Sequence, residues 1–186
     1  MAFVRDALIT VLVIIVVIVA VGYARVKDGG LSAEAEPTRI ESSVARRLVR
    51  LSIPADVKNM KNPAGGDAWR DAVDHYEDHC AACHGKDGRG KTHIGENMYP
   101  RVPDLASDTI QQMTDGELFG VIQNGVRWTG MPAWKSEHSE DDTWKLVSFV
   151  RKVPTLTESD VMEAGSSEHR EHQHEQAGHT HPHEGR

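Results

Sequence analysis

An unbroken uncharged run from Ala7 to Ala24 constrains the fold of this chain more than any other feature. It consists mostly of Val, Ile and Leu and shows no polar face, which argues against a core helix of a soluble domain. Its eighteen residues would span about 27 Å as an α-helix, close to the hydrocarbon thickness of a bilayer. We therefore predict a transmembrane anchor within residues 1–27. The alternative is a cleaved signal peptide, because Gly22-Tyr23-Ala24 loosely resembles a cleavage site.

The remaining residues fall into three parts, predicted as a juxtamembrane linker (28–65), a globular domain (66–155) and a disordered tail (156–186). The net charge of −7 argues against nucleic-acid binding, since phosphate contacts need a basic surface. With only two cysteines, the chain is not a disulfide-dense secreted scaffold.

The linker contains a predicted amphipathic helix over residues 38–52. Its apolar residues recur at helical spacing, and they are Ile40, Val44, Leu48 and Leu51. Between Glu36 and Pro63, six basic residues outnumber three acidic ones. Three interpretations of this helix remain open: contact with anionic lipid, docking on a partner subunit, or packing on its own domain.

The globular domain is predicted to be all-α. We expect helices over residues 67–83 and near 108–113, one opened by a Thr114–Glu117 capping box and ended before Gly125, and one from about Ser139 to Val153. Residues 85–103 are too rich in Gly and Pro for regular structure, and no segment alternates at period two. About ninety residues with long loops form a small apolar core, so something else must fill the centre.

Both cysteines lie in one pentapeptide, Cys80-Ala81-Ala82-Cys83-His84. This spacing is the attachment signature of c-type haem, in which each sulfur bonds one porphyrin carbon and the imidazole binds the iron. A redox dithiol would need a βαβ context, and a zinc site would need further ligands. A disulfide across so short a loop would be strained and would leave His84 unexplained. A covalent haem would also supply the missing core volume.

The chain resembles the class I cytochromes c, specifically membrane-anchored monohaem members from bacteria. The resemblance covers residues 66–155 and rests on the pentapeptide, on Gly130-Met131-Pro132 and on a closing helix with Trp144 and Phe149. It implies a helical fold around one covalently bound haem c, preceded here by a single N-terminal transmembrane helix.

The resemblance also implies a ligand set. His84 and Met131 would be the axial ligands, with Met98 or a histidine such as His93 as the alternative to Met131. The carbonyl of Pro103 would accept the free N–H of His84, and Leu105 would pack on the haem. Arg89, Arg101, Arg127, Trp128 and Trp134 are weaker candidates for neighbours of the propionates or the ring edge.

The function implied is single-electron transfer between redox partners, without catalysis of a substrate reaction. Residues 66–155 carry ten basic and fifteen acidic residues, which predicts partners with basic docking surfaces. A haem-bearing subunit of a larger membrane oxidoreductase is the alternative. A five-coordinate haem that binds peroxide or a gas is a further one, and it requires that Met131 not bind iron.

The resemblance further implies that the haem is attached outside the cytoplasmic membrane, which predicts a single-pass protein with its haem domain on the outer, periplasmic side. Arg25 and Lys27 after the apolar run oppose this orientation, because positive charge favours the cytoplasmic side.

The tail is rich in histidine and poor in apolar residues, so it cannot form a core. Its histidines would suit Cu(II), Ni(II) or Zn(II), which makes a metal-handling or sensing protein a further alternative function. The other interpretation of these histidines is a tail that serves only solubility. The histidines are His169, His172, His174, His179, His181 and His183.

Overall fold

The computed structural model describes residues 2–157 and 159–160. Every regular element within them is helical, which confirms the predicted fold class. The chain forms two compact units, and the second begins at Pro37.

The first unit contains the helix α1, Ala2–Lys27. Within Phe3–Lys27, the most apolar window of 18 residues has a mean hydropathy of 3.0 and is not buried against protein. The predicted apolar helix is confirmed and extends beyond the uncharged run at both ends. Length and composition allow it to cross a membrane, although a signal sequence would share both properties.

The second unit contains eight described α-helices. They are α2 Arg39–Ser52, α3 Ala55–Lys58, α4 Val73–His79, α5 Ala81–His84, α6 His93–Glu96, α7 Asp108–Gln111, α8 Asp115–Asn124 and α9 Glu140–Lys152. Two short 3₁₀ helices, Arg70–Ala72 and Val153–Thr155, precede α4 and follow α9.

Capping boxes begin three of these helices where the sequence predicts them or close by. Thr114 opens α8 with Glu117, Ser139 opens α9 with Asp142, and Thr38 opens α2 in the same way. Each box satisfies backbone donors that the first helical turn leaves unpaired. The predicted ends before Gly125 and near Pro154 are also confirmed, since α8 ends at Asn124 and α9 at Lys152.

The prediction of one continuous helix over residues 67–83 is wrong. A 3₁₀ turn starts the segment, and the helix then breaks at Cys80, whose φ of −113° lies outside the α-helical range. Trp69, Val73 and Tyr76 recur at helical spacing and are buried, so they form the inward face of this segment. The ring of Tyr76 stacks on Phe149 of α9 with centroids 4.1 Å apart.

The segment that joins α2 to α4 packs on the domain through α3. The side chain of Ile53 lies against Gly120, and the carbonyl of Val57 approaches Gly116 so closely that a Cβ there would overlap it. Two glycines on one face of α8 therefore provide the space in which α3 docks. The apolar stripe of α2, in contrast, is exposed, from 52% at Val44 to 78% at Ile40.

Candidate functional site

The two cysteines and His84 lie around one tight helical turn. Cys80 links α4 to α5, and its carbonyl accepts hydrogen bonds from the backbone N–H of Cys83 (3.2 Å) and of His84 (2.9 Å). Both thiols are half-buried and free. One turn thus carries two sulfurs and an imidazole, the donor set that attachment of a haem requires.

The Cys80 thiol does not have the properties of a redox dithiol. Burial raises its pKa to about 12, and the neighbouring Cys83 adds to the effect. The nucleophile of a thiol–disulfide oxidoreductase needs the opposite shift, because the thiolate is the reactive form. The environment of Cys80 therefore argues against the dithiol interpretation.

His84 lies beside the carbonyl of Pro103. Burial lowers the pKa of His84, and the Pro103 carbonyl, acting as a hydrogen-bond acceptor, opposes that shift only in part. Nδ1 of His84 is nevertheless buried without a hydrogen bond of standard geometry to the described residues. A buried imidazole of lowered pKa is neutral near pH 7, the form in which its nitrogen can bind a metal.

The loop between α5 and α7 is held against the Cys80–His84 turn by close backbone contacts. Gly90 has a φ of +70° and donates its N–H to the carbonyl of His84 at 2.6 Å. A Cβ at Gly90 would clash with the carbonyl oxygens of Val102 and Pro103. Glycine is needed here for both reasons, and the contact fixes the position of Pro103 beside His84.

Leu105 is buried in the same region, 8% exposed, and belongs to the hydrophobic core. Its backbone N–H donates to the carbonyl of Gly88 at 2.8 Å. Arg89 forms an ion pair with Asp104 at 3.4 Å, which gives this arginine a partner within the protein.

Met131 lies in a closed loop between α8 and α9. Its carbonyl accepts from the N–H of Val126, and its own N–H donates to Oγ1 of Thr129, both at 3.1 Å. The methyl group of Met98 lies against Gly130, where a Cβ would overlap it. The structure thus places the two methionine candidates on adjacent loops, whereas Met113 packs on the hydrophobic core.

The two tryptophans predicted near the haem edge, Trp128 and Trp134, differ in their surroundings. Trp128 is 87% exposed, and Trp134 stacks on His138 with centroids 4.6 Å apart. The six tail histidines lie outside the described residues. A cluster that no sequence motif indicated is formed in the structure by His75, His79 and His138. The spacing of His75 and His79, four residues apart on a helix, is the signal that would have identified two of them.

Comparison with known families gives one match. Residues 67–150 match the family model described as "Cytochrome C oxidase, cbb3-type, subunit III". Residues 67–150 form a class I cytochrome c domain. No curated protein matches the chain.

A cytochrome c domain implies a haem c, and the residues of this domain fit one. The two free thiols lie one turn apart, and the buried, unpartnered Nδ1 of His84 faces the Pro103 carbonyl. Cys80 and Cys83 would hold the porphyrin, and His84 would bind its iron.

Proposed function

We propose that this chain is a membrane-tethered monohaem cytochrome c that carries single electrons between redox partners on the outer side of the cytoplasmic membrane. The observation that carries the proposal is the Cys80–Cys83–His84 turn within a cytochrome c domain. Bound haem c supplies an iron that alternates between the ferrous and ferric states. Cys80 and Cys83 would attach one haem covalently.

His84 and Met131 are the proposed axial ligands. The Pro103 carbonyl would hold the His84 ring in one orientation and strengthen its donation to iron. The hydrogen bonds of the Val126–Met131 loop would hold Met131 in place in both oxidation states. A fixed ligand set leaves little to rearrange on electron transfer, which suits a carrier rather than an enzyme.

The test is an optical spectrum of the matured full chain, combined with two matched variants. The ferric wild type should show the long-wavelength sulfur-to-iron charge-transfer band, and the reduced protein should not bind carbon monoxide at neutral pH. Met131→Ala should lose the band and gain carbon monoxide binding, whereas Met98→Ala should change neither. Loss of the band in Met98→Ala alone would reassign the ligand, and carbon monoxide binding by the wild type would refute a six-coordinate carrier.

The juxtamembrane helix α2 supports tethering at a lipid surface. It begins twelve residues after α1 ends, and its apolar stripe is exposed. Arg39, Arg46 and Arg47 lie along it, while Arg50 pairs with Glu117 of α8 at 3.9 Å. Such a helix would bury its stripe at the boundary of headgroups and acyl chains and place arginines near anionic lipid.

This lipid contact predicts depth-dependent quenching of a tryptophan introduced on the stripe. In vesicles with brominated acyl chains, Leu48→Trp should add fluorescence that the bromines quench. Arg46→Trp, on the other side of α2, should add fluorescence that is quenched much less. Equal quenching in the two variants would contradict the lipid contact.

A second candidate function is that of a subunit in a larger membrane oxidoreductase. The name of the matching family, which is that of an oxidase subunit, favours it. The exposed stripe of α2 would then dock on a partner subunit. Co-purification of the chain from its native membrane in stoichiometric amount with an oxidase core would favour this candidate over a free carrier.

A further inference from the structure

Three histidines outside the haem-binding turn converge at one place in the domain. His75 and His79 lie four residues apart on α4 and therefore project from the same side of that helix. His138 comes from the loop that immediately precedes α9. One ligand nitrogen of each ring lies within 4.8 Å of those of the other two.

Two of these imidazoles, those of His75 and His138, have buried nitrogens without hydrogen-bond partners among the described residues. His138 is 5% exposed, and neither of its ring nitrogens has a hydrogen-bond partner among the described residues. Nε2 of His75 is also buried and has no hydrogen-bond partner among the described residues. A buried polar atom without a partner costs about 1–3 kcal/mol, so three such nitrogens in one cluster call for an explanation.

The packing of the rings holds the cluster in a defined shape. The rings of His75 and His138 meet edge to face with centroids 4.1 Å apart, and His79 lies 4.9 Å from His75. Trp134 stacks flat on His138, with an interplanar angle of 14°, and closes one side. His79 is exposed and leaves the other side open to solvent.

Charge also suits a cation at this place. Burial lowers the pKa of both His75 and His138, and the adjacent histidines lower it further, so both rings are neutral near pH 7. The carboxylates of Asp142 and Asp78 and the ammonium of Lys145 all act on His75, so acidic groups outnumber basic ones there and would partly offset the charge of an ion.

We propose that His75, His79 and His138 form a site for a borderline divalent transition-metal ion, Zn²⁺ or Cu²⁺, separate from the haem iron. Neutral imidazole suits both ions. Nitrogens that share a tetrahedral ion at about 2.0–2.1 Å lie roughly 3.3 Å apart, so the cluster must close by about 1.5 Å at most. Small rotations of the three rings, of which the exposed His79 is the freest, would supply that movement, and the exposed side would leave a fourth position for water.

The histidines of the tail must be removed before this site is tested, because they would bind the same ions. The background is therefore the full-length, haem-loaded chain with the six histidines between His169 and His183 changed to Gln. Zn²⁺ alone and Cu²⁺ alone are the probes, each in equilibrium dialysis with elemental analysis. The expected result is one ion per protein for at least one of the two metals.

Single variants in this background then assign the ion to the cluster. His79→Gln and His138→Gln should each weaken binding by at least tenfold. His93→Gln changes an exposed histidine elsewhere and should leave binding unchanged. His79 is exposed, so its variant is expected to fold, and an unchanged haem spectrum confirms that it does.

Each outcome decides the proposal. Binding of neither metal in the background would overturn it, as would binding that survives both His79→Gln and His138→Gln. An equal loss in His93→Gln would also overturn it, since binding would then not depend on the cluster. Uptake of only one metal supports the site and identifies its ion.

Discussion

The hydroxyl of Tyr76 connects the hydrophobic core to the Cys80–His84 turn, so Tyr76→Phe tests how that turn is held in place. Tyr76 is 2% exposed and donates to the carbonyl of Gly85, next to His84, at 2.8 Å. Phenylalanine keeps the ring and its stacking on Phe149 and removes only the hydrogen bond.

The expected loss of stability follows from what remains at the acceptor. The Gly85 carbonyl also accepts from the N–H of Gly88 at 3.0 Å, so the substitution does not leave it without a partner. The free energy of unfolding should therefore fall by the net value of one hydrogen bond, about 1 kcal/mol. The larger cost of a buried carbonyl left without a hydrogen bond does not apply. A loss of this size shifts Tm by roughly 4–8 °C in a domain of 60–100 residues.

Thermal and denaturant unfolding of the haem-loaded full chain, followed by haem absorbance, measures this loss. The matched control is Tyr99→Phe, whose hydroxyl donates to Glu41 at an exposed place. Its effect should stay within about 0.5 kcal/mol. If Tyr76→Phe costs no more than Tyr99→Phe, the argument that a buried hydrogen bond anchors the turn is refuted.

Three further predictions follow from other contacts. Arg151 donates to Asp115 at 2.9 Å and to the Gln111 carbonyl at 2.8 Å. Arg151→Ala should therefore lower the free energy of unfolding by about 2–3 kcal/mol, measured in denaturant. The control Arg127→Ala, at an exposed residue, should lower it by less than about 0.5 kcal/mol. Ser139→Ala should cost about 1 kcal/mol at pH 7 through loss of the α9 cap. Because the Ser139 hydrogen bond lowers the pKa of Asp142 below 3.8, the cap stabilises the fold above that pH. The difference between wild type and Ser139→Ala should then shrink as acid protonates Asp142, and a constant difference would contradict this. Finally, electron exchange with a basic redox protein should slow as salt rises, since residues 66–155 are net acidic; a salt-independent rate in stopped flow would count against such docking.

The local sequence was sufficient to predict the features that depend on local contacts. The capping box at Thr114 uses residues three apart, and the pentapeptide is contiguous, so both could be recognised without a fold. The break at Cys80 could not, because apolar residues continue at helical spacing across it.

Features that depend on the approach of distant segments were not predictable in the same way. The contact of Gly90 with Val102 and the docking of Val57 on Gly116 arise from backbone positions that no local pattern encodes. His138 joins His75 only because the loop before α9 folds onto α4. The role of α2 was left open by its sequence, and the structure exposes its apolar stripe.

The mass of the denatured, fully matured chain tests most directly whether Cys80 and Cys83 bind a haem covalently. The account predicts a mass increase of one haem that survives denaturation and no titratable thiol. It also predicts loss of stable attachment when both cysteines are changed to alanine. A polypeptide of unmodified mass with two free thiols, or a haem that acid solvent extracts from the wild type, would contradict it.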